Sequence, residues 1–339
     1  MKTDEVVAAT RVGAGLFPMA HRGLLEVRGE DRVRWLDGMI SGDVEALVAA
    51  GPGAGCYATL LTNRGAIVAD LHVGLEQDRF LLESARESIP RIQETLERFV
   101  IADDVALVDV SDQSVAIGLE GPRAEALLDA ASGGAQLPAP EEWATLRIAG
   151  HPVQIAAFGF TGESAFQLRI GSEGYEALEK ALFAASEALG PPALVRGTPE
   201  ALEILRVEAG IPLLGHELDD EVLPPEARLE RAIATDKGCY VGQEIIARLR
   251  ARGQVNHLLV GLRIEGADLP PVGAKLSAGE RETGELTSVA RSPSQGPIAL
   301  GYVRREHAEE GTELDLGGGR VRVAALPFVA CGAPRPEAA

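Results

Sequence analysis

The sequence predicts an α+β protein: an amino-terminal two thirds that mixes strands and helices irregularly, followed by a small all-β barrel or sandwich. Three observations lead there. Strand-like and helix-like segments alternate without a strict strand–helix–strand order and without a glycine-rich dinucleotide fingerprint. Beyond Arg252 and Gly253 the pattern changes to short alternating strands punctuated by glycine and proline. The chain has 339 residues, 46% hydrophobic and 24% charged, enough for two or three domains that each bury a core. The expected boundaries are 1–252 for two interleaved α+β subdomains, 253–330 for the β domain, and a disordered Pro/Ala/Glu-rich tail over 331–339.

Taken in order, residues 24 to 28 read as a strand, and Gly29-Glu30-Asp31 leads into a short helix bearing Trp35 and Leu36. Residues 56 to 84 read as an antiparallel meander with turns at Asn63-Arg64-Gly65 and Glu76-Gln77-Asp78. Ile92, Leu96, Phe99 and Val100 fall at helical spacing behind Ser88 and Pro90. Strands follow near 105–110 and 114–119, then a helix opening at Gly121-Pro122, a surface loop over 132–140, and strands near 143–148, 152–157 and 166–170. A longer helix from Ser172 aligns Tyr175, Leu178, Leu182 and Phe183 on one face.

Residues 198 to 210 carry a complete set of helix signals. Thr198 caps, Pro199 takes the first helical position, Glu200 complements the dipole and Gly210 ends the helix. Winding it places Ala201, Leu202, Leu205 and Ala209 on one arc, with Glu208 inside that arc while Glu203 and Arg206 point elsewhere. A carboxylate on an apolar face needs a partner: an internal arginine or backbone amide, or a ligand offering two adjacent N–H groups.

Gly238 and Gly242 bracket Cys239 and Tyr240 in a shaped turn, and a short helix starts at Gln243 with Glu244 and Arg248 in favourable order. Cys239 stands just ahead of a helix N-terminus and two residues from Lys237, and both features favour thiolate; the plain alternative is a small buried hydrophobe. Arg248, Arg250 and Arg252 close that helix, either as solvated cations at its C-terminus or as contacts for an acidic group. In the last domain Leu258, Val260, Leu262 and Ile264 form one face, and Gly317-Gly318-Gly319 makes a hairpin turn.

A net charge of −19 argues against direct nucleic-acid or membrane-surface binding, which needs a positive footprint. Three widely spaced cysteines, Cys56, Cys239 and Cys331, fit a reducing compartment without a disulfide framework. With an acidic start and no long apolar run, the expected location is cytoplasmic. The six histidines form no metal motif, so no metal site is expected.

The octet Lys237-Gly238-Cys239-Tyr240-Val241-Gly242-Gln243-Glu244, continuing into Ile245, Ile246, Ala247 and Arg248, resembles the signature of the YgfZ-type folate-binding proteins, relatives of the aminomethyltransferase (T-protein) of the glycine cleavage system. The segment Leu205 to Gly210, with Gly215, Glu217, Asp219 and Pro225, is similar to a T-protein segment whose glutamate grips the pterin. Asp70 stands where T-proteins carry two successive aspartates, with Ala69 at the first; Gly159 to Glu163 resembles another T-protein loop, but Ser164, Ala165 and Gln167 depart from it, and Leu202 replaces a common arginine.

The resemblance implies three domains packed around a folate cleft and a carboxy-terminal barrel. It implies tetrahydrofolate or a one-carbon derivative as cofactor, with Glu208, Asp70, Arg206 and Tyr240 at the folate and Cys239 with Lys237 carrying the chemistry. The implied function is support of iron–sulfur cluster assembly or repair in client enzymes, including tRNA-modifying ones. The thiolate can hold iron or sulfur, attack a one-carbon unit, or pair with a client cysteine. The alternatives are a folate-dependent aminomethyltransferase of the glycine cleavage type, which needs no cysteine, and a folate-sensing scaffold with an inert Cys239.

Overall fold

The computed structural model describes residues 1–253 and 255–332. Two antiparallel-dominated sheets face each other, and a closed barrel docks beside them. The first sheet has the order Gly55–Leu61, Ile67–Leu75, Phe80–Ala85, Arg22–Arg28, Ala106–Asp109, all antiparallel. The second runs Leu194–Arg196, Ala14–Pro18, Val115–Glu120, Ala165–Ile170, His151–Ala156, Trp143–Ile148, with only the first pair parallel. The α+β class with a small closed barrel at its carboxy-terminal end therefore holds.

Alternation along the strands builds separate cores. Leu25, Val27, Phe80, Leu82, Leu71 and Val73 point from one face of the first sheet into the core under the helices Arg32–Asp37, Val44–Ala50 and Ile89–Glu97. Phe166, Leu168 and Ile170 point from the second sheet to the helices Ala124–Ser132 and Tyr175–Leu189. The opposite faces meet around Phe17, Leu24, Leu81, Trp143, Phe158 and Phe160. Polar residues on those inner faces, such as Asp70, His72 and Glu83, therefore face another sheet, not water.

Several local signals are seen as predicted. Thr198 Oγ1 accepts from the Ala201 amide, and the helix Pro199–Ala209 stops at Gly210 in the left-handed region, φ 66°. Gly65 turns the meander at φ 77°, and Gly317 and Gly318, both at positive φ, join Glu313–Leu316 to Gly319–Ala324. The barrel closes as His257–Ile264, Gly296–Arg304, Arg281–Ser292, Lys275–Ala278, Glu313–Leu316, Gly319–Ala324 and back to the first strand.

Three features depart from expectation. An amino-terminal helix, Thr3–Val12, packs Val6, Val7 and Thr10 inward, and it carries Arg11 to the helix Pro199–Ala209. Arg206 does not point outward but is buried, because Ser288 of the barrel strand Arg281–Ser292 covers that side of its helix. Of the tail expected to be disordered, Cys331 and Gly332 are held, the Gly332 amide donating to Glu163 Oε2 at 2.8 Å; residues 333–339 lie outside the described residues.

Candidate functional site

Glu208 is 1% exposed, and its partners are internal. Arg11 donates to Oε2 through Nε at 3.0 Å and Nη2 at 2.8 Å, and Ser292 Oγ donates to Oε1. Arg11 also bonds Glu163 and the Thr161 carbonyl, so amino terminus, second sheet and barrel strand meet there. Of the partners the sequence left open, the internal arginine is the one found: it takes Oε2 with two bonds, while Oε1 accepts from Ser292.

Arg206 is likewise committed. Its Nε and Nη2 bind Glu203, Nη1 binds Glu217 and the Ile211 carbonyl, and Nη2 also reaches Ser288. All five N–H donors have acceptors, which leaves none for a ligand.

The Lys237 ammonium is spent in the same way, on Asp37 Oδ1 at 2.9 Å and on the carbonyls of Asp37, Ile40 and Gly42. It anchors the turn to the first sheet's helices and is not free to polarise a thiol. Tyr240 is buried in the core of the first sheet with Lys237 5.4 Å from its ring centre, and burial pushes its hydroxyl pKa up. Cys239 is exposed. Arg248 pairs with Glu244 at 2.7 Å; the Arg252 side chain lies outside the described residues. Glu208, Arg206 and Lys237 are thus engaged with partners inside the fold, while Cys239 is exposed.

Asp70 is different. On the strand Ile67–Leu75 it shares a face with His72, and the register Thr59 with Asp70, Tyr57 with His72 and His72 with Glu83 brings these side chains together, facing the second sheet. Asp70 is 4% exposed; Tyr57 donates its hydroxyl to Oδ2 at 3.0 Å, and Oδ1 has no hydrogen-bond partner. Burial, then the Asp70 charge, pushes the Tyr57 hydroxyl pKa well up, so Tyr57 stays a donor. The His72 ring stacks on Phe158 at 3.5 Å, and its Nδ1 lies 3.1 Å from Glu141.

Two arginines complete this chamber. Arg22 forks onto Glu83, Nε at 2.8 Å from Oε1 and Nη2 on Oε2, and its guanidinium lies 5.0 Å from the Phe160 ring centre. Arg169 comes from the second sheet and approaches Glu83 Oε1 only to 3.8 Å. Nη1 of Arg22 and both Nη atoms of Arg169 have no hydrogen-bond partner. Buried polar groups are almost always satisfied, so these four atoms make the cluster a candidate ligand site. The surplus comprises donors, one carboxylate oxygen and flat ring walls, which fits a flat ring bearing N–H groups.

Cavities lie on both sides. One of about 740 Å³ has Cys56, Tyr57, Glu141, Arg231, Arg250 and Arg305 in its wall, and Arg231 ties Glu141 to the Tyr57 ring face. The other, about 590 Å³, is lined by His21, Arg86, Phe160, Leu202, Arg206 and His216 among others. Burial drives the Cys56 thiol pKa up to about 12, so it is an inert thiol at neutral pH.

Glu83 gives a pH prediction. Burial alone raises its pKa, but the charge and hydrogen bonds of Arg22, with Arg169 and His72, outweigh it and hold the carboxyl below its ordinary value. The ionised form therefore adds stability in full above the unfolded value, about 4.3, and that stability is lost as pH falls through the folded value. Glu83→Gln is expected to flatten the fall of melting temperature below about pH 4; an unchanged acid slope would mean that Glu83 is not ionised in the folded protein.

Sequence reasoning reached Asp70 and missed Arg22, Tyr57, Glu83 and Arg169. The available signal was a charge inside a strand pattern, as in Phe166-Gln167-Leu168-Arg169-Ile170, where alternation alone assigns the polar face to water.

Residues 2–237 match the family model of the GCVT N-terminal domain, and residues 258–329 match that of the glycine cleavage T-protein C-terminal barrel domain. The chain is 33% identical over 332 residues to the aminomethyltransferase of Streptomyces coelicolor, covering 94% of this chain and 87% of the relative. It is 31% identical to the aminomethyltransferase of Thermus thermophilus, covering 95% and 88%. The crystal structure of glycine cleavage system aminomethyltransferase T from Bartonella henselae superposes with a TM-score of 0.82 at 27% identity, covering 96% and 89%.

Proposed function

The chain belongs to the glycine cleavage T-protein family, with both the amino-terminal domain and the carboxy-terminal barrel, and from that premise we propose that it is a tetrahydrofolate-dependent aminomethyltransferase whose folate site is the chamber around Asp70. The relatives named aminomethyltransferase support this reading over iron–sulfur cluster maintenance, which the octet alone suggests. The single observation that carries it is the free, buried Oδ1 of Asp70, whose other oxygen is pinned by Tyr57.

Tetrahydrofolate, when bound, supplies the nitrogens that accept the one-carbon unit. Asp70 Oδ1 accepts an N–H of the ligand and can hold or return a proton there. Tyr57 fixes the carboxylate so that Oδ1, not Oδ2, faces the ligand. The His72–Phe158 stack and Phe160 give flat apolar walls and exclude water. A low-dielectric surrounding strengthens the interaction of the carboxylate with any N–H placed against it.

Calorimetric titration with tetrahydrofolate tests this. Glu208→Gln is expected to bind as the wild type does, since that carboxylate is already engaged; Asp70→Asn is expected to lose about tenfold or more. The reverse pattern would restore Glu208 as the folate ligand and remove Asp70.

The second reading keeps one specific observation: Cys239 is exposed in the YgfZ-like octet and open to a partner protein. Under it, Cys239→Ala abolishes support of iron–sulfur client enzymes. Under the transferase reading, Cys239→Ala leaves transfer to tetrahydrofolate within about twofold of the wild type, because the chemistry uses no thiol.

A further inference from the structure

We propose that Glu141 is a positioning residue for Asp70: it clamps His72 and Arg231 against the Tyr57 ring, and the clamped Tyr57 hydroxyl aims Asp70 Oδ1 at the ligand. The inference rests on the folate reading of the same chamber. Its grounds are a closed circuit of contacts. Glu141 Oε2 lies 3.1 Å from His72 Nδ1, and Oε1 accepts from Arg231 Nη1 at 2.9 Å. Both of those groups lie against one ring: the His72 ring centre is 4.7 Å, and the Arg231 guanidinium carbon 4.5 Å, from the ring centre of Tyr57. Tyr57 in turn donates its hydroxyl to Asp70 Oδ2, which leaves Oδ1 for the ligand. Burial pushes the Glu141 carboxyl pKa up, but the charge and hydrogen bond of His72, with those of Arg231, outweigh it and hold the carboxyl below its ordinary value. The group is therefore a carboxylate at neutral pH, an acceptor only, and the proton of its bond to the imidazole sits on His72 Nδ1.

The backbone marks the same position. Glu141 holds φ 67°, a left-handed conformation that a residue with a Cβ adopts at a cost. The turn is fixed there from two sides. The Glu141 amide donates to the Ala157 carbonyl at 2.9 Å, and its own carbonyl oxygen sits so close to Gly55 that a Cβ on Gly55 would lie 2.1 Å from it. Glycine at 141 would relieve the strain, and what glycine lacks is the carboxylate. Strain kept for a side chain that ties two cations together points to work done by that side chain beyond the turn. Three separate segments converge on Tyr57 through it: the turn ahead of the strand Trp143–Ile148, the short helix Glu230–Ala232 that carries Arg231, and the first sheet. Glu141, Tyr57 and Arg231 also line the cavity of about 740 Å³, so a small anion can reach the place of the carboxylate from that side.

The test is calorimetric titration of the full chain with tetrahydrofolate, comparing the wild type, Glu141→Gly, Tyr57→Phe and the double variant, each with and without formate. Glu141→Gly suits the test because glycine fits the left-handed turn and the space left by the carboxylate opens onto the cavity. Its affinity is expected to fall about threefold to tenfold, the worth of one ordinary hydrogen bond. Formate is expected to bring the affinity back to within about twofold of the wild type, and chloride at equal ionic strength is not, because only formate offers two acceptor oxygens to His72 and Arg231. In the Tyr57→Phe background, Glu141→Gly is expected to change the affinity by less than about twofold, since the path to Asp70 is already cut. Unchanged affinity in Glu141→Gly would overturn the proposal. A loss that formate does not restore would also overturn it, because the side chain would then serve the turn alone. So would a loss that adds in full to that of Tyr57→Phe, which would mean that Glu141 acts by another path. A wild type that binds no tetrahydrofolate would remove the folate reading and this inference with it, whereas failure of the inference alone leaves wild-type binding intact, so the two failures are distinct.

Discussion

Asp70→Asn is expected to slow one-carbon transfer to tetrahydrofolate by about two to four orders of magnitude, the range for loss of a positioned proton-holding group. The substitution is close to isosteric, and the amide carbonyl keeps the bond from Tyr57. The change falls on Oδ1, where an acceptor becomes an NH₂ donor. An N–H of the ligand then meets an N–H of the protein, which accounts for the loss of affinity, and no carboxylate remains to take a proton, which accounts for the loss of rate. The free protein is expected to be no less stable than the wild type, because a buried carboxylate oxygen without a partner is removed. Rate and melting temperature together separate this from misfolding: a slow variant that also melts early would make Asp70 a structural residue.

Glu217→Gln is expected to cost about 1–3 kcal/mol of stability, the usual result of weakening hydrogen bonds to a buried charged group, since Arg206 keeps Glu203. Glu217 is fully buried and accepts four hydrogen bonds: from Arg206 Nη1 and the Leu213 amide on Oε2, and from Thr287 and Ser288 of the barrel on Oε1. It joins the helix Pro199–Ala209 to the barrel strand Arg281–Ser292, so its removal loosens the seam between barrel and sheets. Denaturant unfolding measures the loss. Tetrahydrofolate affinity of the folded fraction is expected to stay near that of the wild type, and a large drop in affinity with little drop in stability would return Arg206 to the ligand.

The elements that were legible in the sequence are those fixed by neighbours in the chain. Thr198, Pro199 and Gly210 bound a helix because capping and the left-handed stop are local. The glycine hairpin at 317–319 and the turn at Gly65 are local in the same sense. Even the burial of Glu208 follows from winding a helix, and the expectation that it needs a partner was sound. Which partner it finds was not legible, because Arg11 is 197 residues away on a helix the sequence reading did not assign. The same holds for Arg22 with Glu83 and for Arg169: nothing in a strand's period says whether its polar face meets water or a second sheet. The setting of Lys237 was not legible for a related reason, since it is near Cys239 in sequence, yet its ammonium points into four acceptors around Asp37, Ile40 and Gly42.

The most direct test of the central claim is a crystal structure of the protein with tetrahydrofolate. The predicted result is a pterin ring between the two sheets with an N–H within hydrogen-bond reach of Asp70 Oδ1, and with the Glu208–Arg11–Ser292 contacts intact. A pterin seated on Glu208 after displacement of Arg11, or a folate bound at Cys239 with the Asp70 chamber closed, would contradict it.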